Sequence, residues 1–270
     1  MRTTAVRLGP RSIVAVTLAG FLGIVAFAWP FLLDPGAVTA TEMAPILFGL
    51  LLVLVLAVLI AEVSEGGIDA KALALLGVLA AINAGLRPLS AGTAGVELIF
   101  FLLVLAGRVL GPGFGFVLGG TSLFASALIT GGVGPWLPYQ MFGCAFVGLG
   151  AGLLPPARGN AELALLGGYA ALSSYAYGFL LNLSFWPFAI GSDTALSYVP
   201  GASVLENLRR YLVFDATTSL GWDTGRAITT TACVVVLGSP VLGALRRVTR
   251  KAAFDAPVEF IPPAVLRFPP

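Results

Sequence analysis

The chain has 270 residues, of which 58% are hydrophobic and 10% charged, and its mean hydropathy is +0.97. A water-soluble domain would carry about 25% charged residues, so the composition excludes one and makes lipid the solvent. The net charge of +2 says little about acidic partners, no nucleic-acid partner is expected, and the lack of histidine excludes a His-based relay or a zinc–histidine site.

Taken in chain order, Arg2, Arg7 and Arg11 precede a first apolar run over 13–33. The run is longer than the core of a signal peptide and has no clear small-x-small cleavage site, so it reads as a retained helix. Further apolar spans fall over 44–62, 70–87, 95–110, 112–130, 138–155, 163–190 and 224–245. Each approaches the roughly 20 residues that cross a bilayer as a helix. They are too continuous for outer-membrane strands, which alternate over about ten residues. The expected fold is an all-α polytopic membrane protein with eight spans.

Lysine and arginine placement sets an expected orientation. With the N-terminus in the cytoplasm, eleven of the fifteen basic residues are cytoplasmic, and Arg87, Arg209, Arg210 and Arg226 are external. The expected location is a cell inner (cytoplasmic) membrane, crossed several times, with both termini cytoplasmic. Glu42, Glu62, Asp69 and Lys71 read as membrane-edge charges.

Asn83 and Arg87 share one face of the third span. An ion pair between Arg87 and Glu97, across the following turn, would neutralise both. Two readings fit: an arginine snorkelling at the interface, or the mouth of a substrate cavity. The fifth and sixth spans are glycine-rich. Gly111, Gly115 and Gly119 recur every four residues, as do Gly148 and Gly152, a spacing that permits close helix crossing. The sequence GPGFGF at 111–116 has no Lys-Ser/Thr partner and is not a phosphate loop. Between these spans lies GGVGPWLPYQM, 131–141, where Pro135 and Pro138 oppose continuous helix. Trp136 and Tyr139 can pack on a flat ligand that Gln140 orients; equally, the segment can be an external turn with an aromatic anchor. Cys144 and Cys233 sit in apolar runs and read as small buried hydrophobes.

In the seventh span, Asn182, Ser184 and Trp186 follow Tyr175 and Tyr177. These groups suit a neutral or zwitterionic ligand, or serve as interhelical glue and an aromatic belt. The longest connection, 191–223, contains SVLENLRRYLVF at 203–214, which can form an amphipathic surface helix with Val204, Leu205, Leu208, Leu212 and Val213 near one side. It reads as a lid over an external pocket or as an interfacial helix. The proline-containing end of the chain reads as an irregular cytoplasmic tail.

Residues 70–245 resemble a substrate-binding S component of an energy-coupling factor (ECF) transporter. The likeness rests on the glycine-rich helix Gly111–Thr130, GGVGPWLPYQMFG at 131–143, and the small-residue helix ending at Pro155. The resemblance implies a six-helix S-component-like core over 67–250, a two-helix transmembrane extension over 1–66 and a tail over 251–270. It implies capture of a vitamin or cobalamin-like micronutrient at the external face, with no catalytic residues, metal or cofactor. The implied partners are a membrane coupling subunit and two ABC-type ATPase subunits. By position it places Trp136, Tyr139, Gln140, Asn182, Trp186 and Arg87 near the substrate. It places the small-residue pairs Ala70 and Ala74, or Ala80 and Ala84, at the coupling subunit. The competing reading is a membrane-embedded enzyme acting on a lipid or isoprenoid, for which the polar groups are sparse and scattered.

Overall fold

The computed structural model describes residues 9–32, scattered positions between 46 and 60, and residues 70–90, 95–134, 136–189 and 194–252. Most of the predicted second span, Arg2, Arg7, Pro135 and the chain beyond 252 lie outside the described residues. Within them the chain is all helix: α1 (Pro10–Phe27), the single turn α2 (Trp29–Leu32), α3 (Ala70–Ser90), α4 (Ile99–Leu110), α5 (Pro112–Thr130), α6 (Leu137–Leu153), α7 (Gly159–Ala189), α8 (Val204–Thr218) and α9 (Leu220–Ala252). Helices α1, α3, α5, α7 and α9 are long and apolar enough to cross a membrane, and α4 and α6 are shorter apolar helices. Ile13, Phe21 and Ile24 on α1, Val78 and Ile82 on α3, and Ile228, Val235 and Val236 on α9 all face outward. Apolar surface on this scale is tolerated where lipid covers it. The protein is an all-α polytopic membrane protein.

Helix α4 is the axis of the bundle. Every residue in it except Arg108 is buried, which is why its sequence is apolar on all sides. It passes into α5 through Gly111 alone, at φ 108°, a backbone conformation glycine adopts freely. Pro112 then opens α5 at a position where its missing N–H costs nothing. Helices α5 and α6 touch backbone to backbone. A Cβ at Gly115 or Gly148 would overlap the other residue's carbonyl, and one at Gly119 would overlap the Cys144 carbonyl. The expected close crossing of the glycine-rich segments is this seam. Helix α3 packs on α5, and α9 on α7. Helix α1 packs on α6, with Gly23 beneath Phe142 and Phe146, and Phe27 5.4 Å from Tyr139.

Because α3, α4, α5, α6, α7 and α9 follow one another in alternating direction, the bundle has two chemically different ends. The loop end holds Arg87, Glu97, Gly131–Gly134, Trp136, α8 and the start of α9. The basic end holds Arg108, Arg158 and the end of α9, with Arg246, Arg247, Arg250 and Lys251.

Candidate functional site

Ionisable side chains cluster at both ends of this apolar bundle, and the loop end brings together residues from several helices. Arg226, one turn and a half into α9, bonds Glu97 Oε2 through Nε at 2.7 Å and Asp223 Oδ1 through Nη1 at 2.7 Å. Its Nη1 also donates to the Ser174 carbonyl, 3.2 Å away on α7. The guanidinium lies over the rings of Tyr177 (4.9 Å) and Phe100 (5.6 Å). Ser219 donates to Asp223 Oδ2 at 2.8 Å. Gly178 makes room for this carboxylate, since a Cβ there would overlap it. Glu97 pairs with Arg226 in α9, which replaces the expected partnership across the turn with Arg87.

Arg87 donates through Nη2 to Gln140 Oε1 at 3.1 Å, joining the end of α3 to the start of α6. One turn below, Asn83 Nδ2 donates to Ser122 Oγ at 3.0 Å. Asn83 Oδ1 and the nearby Ser126 Oγ are buried with no hydrogen-bond partner among the described residues. Tyr177, whose ring lies under the Arg226 guanidinium, also packs against Gly143, three residues after Gln140. The two arginine clusters are therefore neighbouring parts of one polar region between α3, α4, α6, α7 and α9. Two guanidinium and two carboxylate groups balance there, with an amide, hydroxyls and aromatic faces around them. Such a set can hold a polar organic molecule by exchanging internal partners for ligand groups. Among the described residues, no three His, Cys, Asp or Glu side chains gather to hold a metal ion.

No protein-family model, curated protein or solved structure matches this chain.

The sequence-predicted site residues separate into four places. Arg87 and Gln140 meet, as described. Trp136 is 46% exposed, with its Nε1 donating to the Gly132 carbonyl at 3.3 Å and its ring folded over Gly134. Tyr139 is buried against Phe27 of α1. Asn182 donates to Asp215 Oδ1 at 2.9 Å, and the fully buried Trp186 donates to the Leu196 carbonyl at 2.8 Å. These last two hold α8 and its approach against α7. Of the small-residue pairs, Ala80 and Ala84 are buried within the bundle, whereas Ala70 and Ala74 are exposed. Asp223, Arg226 and Ser174 escaped the sequence reading. The available signal was Asp223 and Arg226 three apart on one helix face.

Helix α8 is tied to the bundle by hydrogen bonds and buried side chains. Ser203 caps it by accepting from the Glu206 N–H. Tyr211, fully buried, donates to the Phe179 carbonyl, and Asn207 bonds both backbone groups of Val199. Burial raises the Asp215 carboxyl above its ordinary value, against the opposing hydrogen bonds from Asn182 and Tyr211. At the basic end, Glu162 is clamped between Arg108 (2.7 Å) and Arg246 (2.7 and 2.8 Å). Arg108 also donates to the Leu154, Pro155 and Ala157 carbonyls. That lock ties the α6–α7 connection to α4 and α9.

Proposed function

We propose that this chain is the substrate-capturing membrane subunit of an ATP-driven micronutrient importer, an S component that takes a polar organic ligand at the loop end. The observation that carries the reading is the charge-balanced polar region around Arg226, Glu97, Asp223, Arg87 and Gln140, in which Asp223 is buried and the others are partly buried between apolar helices. Buried ionisable residues in a membrane interior are costly and mark ligand or ion sites. The loop end is external in this reading, facing the nutrient, and the basic end is cytoplasmic. The ligand class is a neutral or zwitterionic molecule with hydrogen-bonding groups of both signs. A coupling subunit and two ABC-type ATPases supply the energy, and the exposed Ala70 and Ala74 are the small-residue pair accessible to that coupling subunit.

The test is purification of the chain expressed with candidate coupling and ATPase subunits, with mass spectrometry of what accompanies it. A retained small organic molecule together with co-eluting ATPases is the expected result. Arg87→Ala should release the molecule without loss of membrane insertion. Turnover of a lipid by the chain alone, with neither ligand nor ATPase retained, would sink the proposal in favour of an enzyme.

A further inference from the structure

Helix α8 presents two apolar faces, and the bundle uses one. Asn207, Tyr211 and Phe214 point inward. Leu205, Leu212 and Val213 are 69%, 49% and 51% exposed on the outer side. Leu205, Arg209 and Val213 follow at four-residue spacing, so they form one row along the helix. Beside that row, Glu206 and Arg210 form a second, and Ala195, Leu196 and Ser203 line the groove with them. Together they enclose an open groove of about 650 Å³, lined by Leu196, Leu205, Glu206, Arg209, Arg210 and Val213.

The two arginines in the groove differ in availability. Arg210 is engaged by Glu206 Oε1 through Nε and Nη2 (3.3 and 3.1 Å) and by the Ala195 carbonyl (3.2 Å). Arg209 is exposed and makes no ion pair or hydrogen bond among the described residues. The groove thus offers one uncommitted guanidinium between two aliphatic side chains, with a net charge of +1 from Arg209, Arg210 and Glu206. In a membrane protein, a cation bordered by apolar side chains at the end of the bundle complements an anionic lipid.

We propose that this groove binds the headgroup of an anionic phospholipid. Arg209 takes the phosphate in a charge-assisted pair. Leu205 and Val213 cover the glycerol and the first methylenes of the chains. Arg210, held by Glu206, forms the fixed wall. The site is separate from the Arg226 region, and the inference stands whether or not the chain is an importer.

The full chain in phosphatidylcholine nanodiscs, with or without phosphatidylglycerol, provides the test. Native mass spectrometry reads retained lipid, and thermal unfolding reads its stabilising effect. Phosphatidylglycerol should be retained in preference to phosphatidylcholine and should raise the unfolding temperature. Arg209→Gln should weaken that retention about tenfold, the scale of one charge-assisted contact, with Arg209→Lys intermediate. Arg247→Gln, at the opposite end, should leave it unchanged. Equal retention by wild type and Arg209→Gln would overturn the proposal, as would an equal loss with Arg247→Gln. Displacement of the lipid by inorganic phosphate alone would also overturn it, because the aliphatic walls would then contribute nothing.

Discussion

Arg226 touches two carboxylates, a backbone carbonyl and two aromatic rings, so its removal strands charges that the bundle cannot solvate. Breaking one partner from a buried ion pair costs about 3–5 kcal/mol, more than the intact pair contributes, because the remaining charge keeps its desolvation penalty. Arg226→Met should therefore lower thermal stability in detergent sharply. Adding Glu97→Gln and Asp223→Asn should recover much of the loss, since no charge then remains uncompensated. A loss of similar size in the triple variant would show that ring stacking, not charge, is what Arg226 supplies. Asp215 gives a second residue-scale test. Its carboxyl is raised by burial, so the folded protein holds the proton more tightly than the unfolded chain does. Its contribution to stability is full below the unfolded pKa and declines as pH rises through the raised folded value. Asp215→Asn keeps an oxygen for the Asn182 amide and removes the titration. The melting temperature of the variant should fall less than that of wild type as pH rises just above the ordinary carboxylate range. Parallel pH profiles would refute this assignment.

At the scale of elements, glycine has opposite meanings in the α5–α6 seam and on α3. In the α5–α6 seam, Gly115, Gly119 and Gly148 face backbone that a Cβ would overlap. On α3, Gly77 and Gly85 are exposed with nothing within 4 Å of a built Cβ. Gly148→Ala should destabilise by roughly 1–3 kcal/mol, the usual cost of overpacking. Gly77→Ala should be neutral or stabilise by up to about 1 kcal/mol through helix propensity. Thermal unfolding of the two single variants in one detergent compares them, and the same sign for both would remove the distinction. The contrast also shows what the sequence could reveal. The four-residue spacing of Gly111, Gly115 and Gly119 identified a close crossing because helical periodicity fixes which residues share a face. Continuous apolar runs revealed α3, α5, α7 and α9 because a helix that crosses a bilayer needs about 20 apolar residues, and the amphipathic stretch 203–214 revealed α8. Partner choice was less accessible. Glu97 lies ten residues from Arg87 and 129 from Arg226, and only the packing of α4 against α9 makes the distant arginine the nearer one. Asn182 and Trp186 looked suited to a ligand by chemistry alone. Their partners, Asp215 and the Leu196 carbonyl, lie in a connection whose path local spacing does not determine.

The whole molecule has a charge asymmetry that its alternating helices turn into a statement about orientation. Among the described residues, Arg11, Lys71, Arg108, Arg158, Arg246, Arg247, Arg250 and Lys251 belong to one end, and Arg87, Arg209, Arg210 and Arg226 to the other. Two of the latter, Arg87 and Arg226, are committed to Gln140 and to Glu97 with Asp223. Basic residues near span ends favour the cytoplasmic side, whereas acidic residues contribute little to orientation. The basic end should accordingly be cytoplasmic, with the Arg226 region and the α8 groove opening outside. Single-cysteine variants read this directly. Cys144 is buried and Cys233 partly so, and Cys144→Ala with Cys233→Ser removes both as background. Ser203→Cys and Asn160→Cys then mark opposite ends at exposed positions. In intact expressing cells, a membrane-impermeant maleimide should label Ser203→Cys, and Asn160→Cys should react after permeabilisation only. The reverse pattern would put the Arg226 region in the cytoplasm, where it could not capture an external nutrient. Labelling of both in intact cells would mean that α7 does not carry the chain from one side of the membrane to the other.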